Sequence, residues 1–460
     1  KECSDLSNIG DENDNSEELG MAIACVALDH DNIELHDEEI QEGIDVVLWT
    51  KFNNVTSCLI PKHTETIQFV KDGNRHKFNI IHKTLRAISM VYRCASKIRF
   101  KNMEMFAHSL VENNLKLVKC LMVTMGSYTK EKRTVSAYSV KAHDDKTNTI
   151  VVKRGKGTCM PLSHFIPVEQ IVECIRNLLR VLENICSTDT VVFRTKVVEA
   201  QDLLTTLKLI LDYDIETDSS DNTPPPGADQ LFNTIVQHAS AIIALTSLSN
   251  PLRTQIPTHP DLLATLSNLS HSSCPETRQH LATTLQNLAT ATENMTPLSQ
   301  DKQIIQTLVK LLHSSQKLST RRCAAGTVQN LGYKPQNRNN VVCVGGKELI
   351  SSLCAIISLP DYEIRIKGLS ALRNLSQHDD VVTILMKDDD SLINVAKMTV
   401  CVNETVGRHA SAILKRLMTA MCPDGLRRVL MSVATGHGRA GDGEDGERGH
   451  CGTVKHDLIL

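Results

Sequence analysis

Aromatic residues make up only 3% of this 460-residue chain, and Trp49 is its one tryptophan. Leu, Ile, Val and Ala must therefore build the core, which suits helix packed on helix better than a sandwich or barrel. The fifteen cysteines are scattered singly from Cys3 to Cys451, with no CxxC and no histidine at metal-ligand spacing. Neither a zinc module nor a disulfide framework is indicated. Cys174, Cys323 and Cys354 sit among apolar residues, where cysteine acts as a small hydrophobe, so a reducing, cytoplasmic setting is expected. No apolar run reaches the roughly 18–20 residues of a membrane span. No signal peptide is visible, although the chain does not open on Met and reads as truncated, so an upstream signal could have been lost.

Signals for chemistry are equally thin. VKRGKGT (Val152–Thr158) lacks the spacing of a phosphate loop and reads as an exposed basic loop. Asp388, Asp389 and Asp390 read as a solvated turn, and His238, His280 and His409 as packed or solvated helix residues. No Ser/His/Asp or Cys/His constellation can be assembled. The expectation is a chain that is not an enzyme and holds no metal or cofactor.

The net charge of -3 hides an uneven distribution. Residues 1–227 carry 27 Lys+Arg against 33 Asp+Glu, whereas residues 228–440 carry 21 against 15. The basic excess is too diffuse for nucleic acid, which calls for a concentrated Lys/Arg face, but it favours acidic segments of a protein partner. Residues 1–45 hold fifteen acids and one lysine and read as a largely disordered tail.

Residues 46–215 read as helical, either a bundle or divergent solenoid hairpins. Leu85, Ile88, Val91, Ala95 and Ile98 form one stripe, and Phe106, Leu110, Leu117, Leu121 and Met122 belong to a second helix. Ile171, Ile175, Leu178, Leu182 and Ile185 form a third stripe, and Val197, Ala200, Leu204, Leu207 and Leu211 a fourth. An insertion at 134–158 separates the pairs and is open between a hairpin and a loop. The acid-, Ser- and Pro-rich stretch 216–229 reads as a linker, and the Gly-rich stretch 436–460 as a flexible tail.

Within 230–435 the sequence repeats itself. HLATTLQNLAT (His280–Thr290), AGTVQNLGYKP (Ala325–Pro335) and LSALRNLSQHD (Leu369–Asp379) align on Asn287-Leu288, Asn330-Leu331 and Asn374-Leu375. SAILKRLMTA (Ser411–Ala420) extends the series to Leu417, and ASAIIALTSLSN (Ala239–Asn250) extends it back to Leu248. A period near 42 residues falls in the range of two- or three-helix solenoid units. Each unit runs from an apolar helix through a polar break with Arg or Lys to a helix with Ala or Gly at close-packing positions. One such unit cannot bury its apolar face alone; stacked neighbours can.

This pattern resembles the armadillo repeat of β-catenin, plakophilin and importin-α relatives, most fully over Arg321–Ser376. The alanine-rich third helix, the terminal Asn-Leu, the Asn-rich turn, the Gly345-Gly346 pair and the LISSLCAII helix fall in family order. The resemblance implies an all-α, armadillo-type α-solenoid whose third helices line a groove for an extended segment of another protein. Carried over, the groove residues are Asn287, Asn330 and Asn374, preceded by Gln286, Gln329 and Arg373, with Lys415 and Arg416 at the last unit. A side-chain amide offers both donor and acceptor to a peptide unit. Layers about 10 Å apart match about three residues of extended chain at about 3.3 Å each. An asparagine there could equally be bonded within its own structure. Importin-α places Trp four residues before each groove Asn; here Thr283, Gly326 and Ser370 stand there, which disfavours basic cargo.

The expected function is an adaptor or scaffold that binds a segment of acidic character. Two other readings are a cytoskeletal or junctional linker working through 46–215, and a regulatory solenoid for a small GTPase or kinase.

Overall fold

The computed structural model describes residues 228–420 continuously, together with 168–187, 197–200, 202–213 and interspersed positions between 111 and 122. The acidic tail, the first helical stripe, the insertion, linker residues 216–227 and the tail beyond 420 lie outside the described residues. Among the described residues every regular element is a helix and no strand occurs.

The helices are α1 (Val168–Ser187), α2 (Leu203–Leu211), α3 (Ala228–Thr246), α4 (Asn250–Thr258), α5 (Leu262–Asn268), α6 (Pro275–Leu288) and α7 (Thr292–Gln300). They continue with α8 (Lys302–Leu312), α9 (Leu318–Leu331), α10 (Pro335–Ile357), α11 (Tyr362–Leu375), α12 (Asp379–Lys387), α13 (Asp389–Met398) and α14 (Glu404–Ala420). From α4 onward they fall into units of three. Within α10 the first and second helices of a unit run together. Gly346, at φ 53° and ψ -151°, breaks it between them, a backbone state that glycine tolerates because it has no Cβ. At the same junction in two other units an aspartate caps the second helix. Asp301 accepts from the amides of Gln303 and Ile304 (2.8 and 3.3 Å), and Asp388 from Ser391 N–H and Oγ–H (3.5 and 2.6 Å). Asp388 thus serves as a helix cap.

Third helices stack on third helices in the order α3, α6, α9, α11, α14, and α1 packs extensively against α3 in the same manner. Second helices stack likewise through α5, α8, α10 and α13. The fold is an armadillo-type α-solenoid. One hydrophobic cluster runs from Val111 through Ile175, Leu207, Ile242, Leu285, Leu331 and Leu375 to Leu417. Burial pushes the thiols of Cys174 and Cys354 up to about 12 and about 11, as suits cysteines acting as core hydrophobes. By length and composition α10 also matches a membrane span. It is broken at Gly346, and Val341, Leu349, Leu353 and Ile357 are fully buried in the protein core.

Arginines fix the turns. Arg278, Arg321 and Arg365, each nine residues before an Asn-Leu asparagine, donate to carbonyls of the preceding turn region, Ser272, Leu312 and Leu359. Arg253 and Arg338 do the same for the turn after a third helix, bonding the carbonyls of Ser247 and Gly332 (3.3 and 2.9 Å). This second pair corrects the register of the first unit. Ser247 N–H donates to Ile243 O as Gly332 N–H does to Val328 O. Thr246, not Leu248, therefore occupies the position of Leu288 and Leu331, and Leu248 lies in the turn, 46% exposed. The unit length becomes 42 residues rather than the 40 read from the sequence.

The fourth stripe also differs in detail. Val197, Ala200, Leu204 and Leu207 are buried, but they belong to a turn of helix at 197–199 followed by α2 rather than to one helix.

Candidate functional site

The stacked third helices carry the predicted residues in two adjacent columns, and each column leans its own way. Side chains at the asparagine position reach back to the preceding layer. Asn287 Nδ2 donates to Ala244 O (3.2 Å) and Ser247 Oγ (2.9 Å). Asn374 Nδ2 donates to Gln329 O (2.9 Å) and is 9% exposed. Arg416, which replaces asparagine in the last unit, donates to the carboxylate of Asp379 just after α11 (2.6 Å). Asn330 breaks the series: its side-chain amide makes no hydrogen bond among the described residues.

Side chains one position earlier reach forward. Gln286 lies over Gly326 of α9 so closely that a Cβ there would sit 2.7 Å from its Nε2. A side chain there would displace the Gln286 amide, and this is the position where the importin-α pattern has Trp. Gln329 is half-buried with its Oε1 enclosed and unbonded. Arg373 donates to Nδ1 of His409 on α14 (3.1 Å). Lys415 is exposed. Neither Arg373 nor Lys415 has a carboxylate partner among the described residues, and Lys367 on α11 has none either.

The histidines belong to the same face. His280 Nδ1 lies 3.1 Å from Ser240 Oγ, and His238 pairs with Glu183 of α1. Burial pushes the pKa of His280 below its usual value. His409 is pushed down by burial and by the neighbouring Arg373 and Arg408. A neutral His409 is also what its geometry requires, since Nδ1 must accept from Arg373.

The sequence pattern located the ladder, but it missed Gln286 over Gly326, His409 under Arg373 and Asp379 against Arg416. The signal available was the shared spacing of 36–40 residues between each pair. Among the described residues no cluster of three or more His, Cys, Asp or Glu is arranged to hold a metal. A cavity of about 560 Å³ opens between Pro251, Arg253, Thr290 and Glu293, on the turns that follow third helices and apart from the ladder.

Solved structures similar to this chain include designed armadillo repeat proteins. One is 19% identical and covers 54% of this chain and 94% of its own, at a TM-score of 0.41. A second, computationally designed for modular peptide recognition, is 18% identical over 53% of this chain and 93% of its own, at 0.42. A third, in complex with the peptide (KR)4, is 20% identical with the same coverage, at 0.40. No family model and no curated protein matches the sequence.

Proposed function

We propose that the third-helix face is a protein-binding groove for an extended segment of acidic character, and that the chain works as an adaptor or scaffold rather than an enzyme. One observation carries this reading. Arg373 and Lys415 stand at the same position of successive third helices, and neither has a carboxylate partner among the described residues. A cation held on a surface without its counter-charge favours an anionic partner. Layers about 10 Å apart would present the two charges to acids about three residues apart on an extended chain at about 3.3 Å per residue.

The free amide of Asn330, one layer before Arg373, has a donor and an acceptor left for the main chain of such a segment. Asn287 and Asn374 have committed donors to the preceding layer, so their part is first to join layers. The groove would therefore grip main chain at Asn330 and read acidity at Arg373 and Lys415.

The test is affinity capture from whole-cell lysate with the wild-type chain and Asn330→Ala/Arg373→Glu, both checked for folding by circular dichroism. The reading expects a defined set of acidic partners retained by the wild type and lost by the variant. Identical partner lists from two folded baits would contradict it.

A further inference from the structure

The cationic end of the ladder has a candidate occupant in the same chain. We infer that the acidic stretch GDGEDGE (Gly441–Glu447) folds back on α11 and α14 and occupies the groove at Arg373 and Lys415. This inference rests on the groove reading above.

Three observations support it. The first is charge. Asp442, Glu444, Asp445 and Glu447 are four acids in six residues with no cation among them, and Lys367, Arg373 and Lys415 are three cations without a carboxylate partner among the described residues. The second is spacing. Asp442 and Asp445 lie three residues apart, as do Glu444 and Glu447, which in extended chain spans about 10 Å. That is about the distance between packed helix layers, so either pair can set one acid against Arg373 and the next against Lys415. The third is reach. Asp442 follows Ala420, the last residue of α14, by 22 residues, and Lys415 lies on that helix. Twenty-two residues can reach up to roughly 70 Å at about 3.3 Å each, enough to return to α14 and the neighbouring α11. Tethering on this scale gives an effective concentration in the millimolar range, so a weak contact suffices. The glycines at 441, 443 and 446 remove side chains that would hold the backbone off the helices.

The acidic tail at residues 1–45 is a poorer candidate. It ends 328 residues before Arg373 in sequence, against the 22 that separate Ala420 from Asp442.

An external acidic segment would then have to displace Gly441–Glu447, which makes the stretch a built-in competitor. The experiment is a fluorescence-anisotropy titration of a labelled (Asp-Gly-Glu)4 peptide against the full chain. Three forms are compared: wild type, Asp442→Asn/Glu444→Gln/Asp445→Asn/Glu447→Gln, and that variant with Arg373→Glu/Lys415→Glu added. Occupancy of about nine groove ends in ten predicts roughly tenfold tighter probe binding by the tail-neutralised chain than by wild type. The added charge reversals should abolish the gain. Equal affinity of wild type and tail-neutralised chain, with the reversals still weakening the probe, would overturn the inference and leave the groove reading intact. Insensitivity of the probe to the reversals in a folded chain would overturn both.

Discussion

The central third helices and the last one solve the same structural problem with different chemistry. In α6 and α11 an asparagine amide reaches back to join layers, using neutral hydrogen bonds to Ala244 O and Gln329 O. In α14 the same position is Arg416, and the joint becomes a charged contact with Asp379. The turn before the helix differs as well. Arg278, Arg321 and Arg365 bind the turns that lead into α6, α9 and α11. The corresponding residue of α14 is Gly407, packed near Thr399 O, and Val400 and Val402 of that turn are 85% and 94% exposed. The comparison teaches that joining and surface charge are divided between neighbouring side chains. On α11 Asn374 joins layers beside the cationic Arg373, and on α14 Arg416 joins them beside Lys415, whereas on α6 the joining Asn287 has the neutral Gln286 as its neighbour.

The contrast is broken most severely in the core. Leu331 is fully buried with a layer on either side, so Leu331→Ala should cost about 2–5 kcal/mol. Leu417 is equally buried but belongs to a unit with one described neighbouring layer. Leu417→Ala should fall toward the lower end of that range. Urea midpoints for the two variants would measure the difference. Equal losses would mean that the last unit is as firmly supported as the centre.

At the ladder itself, Asn374→Ala should cost about 1–2 kcal/mol, because it removes a largely buried amide and leaves Gln329 O without its donor. Asn330→Ala should stay within about 0.5 kcal/mol, since that amide joins nothing. A reversal of this order in chemical denaturation would show that Asn330, not Asn374, is the layer joint.

The smallest effect concerns pH. The folded-state pKa values of His280 and His409 lie below the ordinary 6.5. In the window beneath 6.5 the unfolded chain binds protons that the folded chain refuses. The stability from keeping these rings neutral is therefore complete above about 6.5 and is lost as pH falls through that window. Thermal midpoints should drop between pH 7.5 and 5.5. His409→Gln should flatten the drop, because a neutral side chain beside Arg373 and Arg408 has no proton to take up. An unchanged slope in that variant would remove His409 from the account.

Much of the solenoid was legible in the sequence because its signals are local and repeated. The Asn-Leu spacing, the alanines and glycine of Ala324–Gly326 and the Gly345-Gly346 break each correspond to a required geometry. The register of the first unit was misread for a physical reason. Thr246 stands at a fully buried leucine position because its hydroxyl bonds back to Ile242 O (2.7 Å), so a polar residue fills an apolar place and the eye passes on to Leu248. The direction in which each ladder side chain leans was not legible either. It depends on which carbonyl or ring the neighbouring layer presents, and those partners are some forty residues away in the chain.

The most direct measurement is the affinity of the (Asp-Gly-Glu)4 peptide for the chain with Asp442, Glu444, Asp445 and Glu447 neutralised, so that the groove is open in either case. Comparing that chain with the same chain carrying Arg373→Glu/Lys415→Glu isolates the two unpartnered cations. The account predicts at least a tenfold loss, deepening as salt is lowered because Lys415 is exposed and Arg373 only half-buried. Equal affinity in two folded chains would contradict it and move the working surface of this protein away from its third helices.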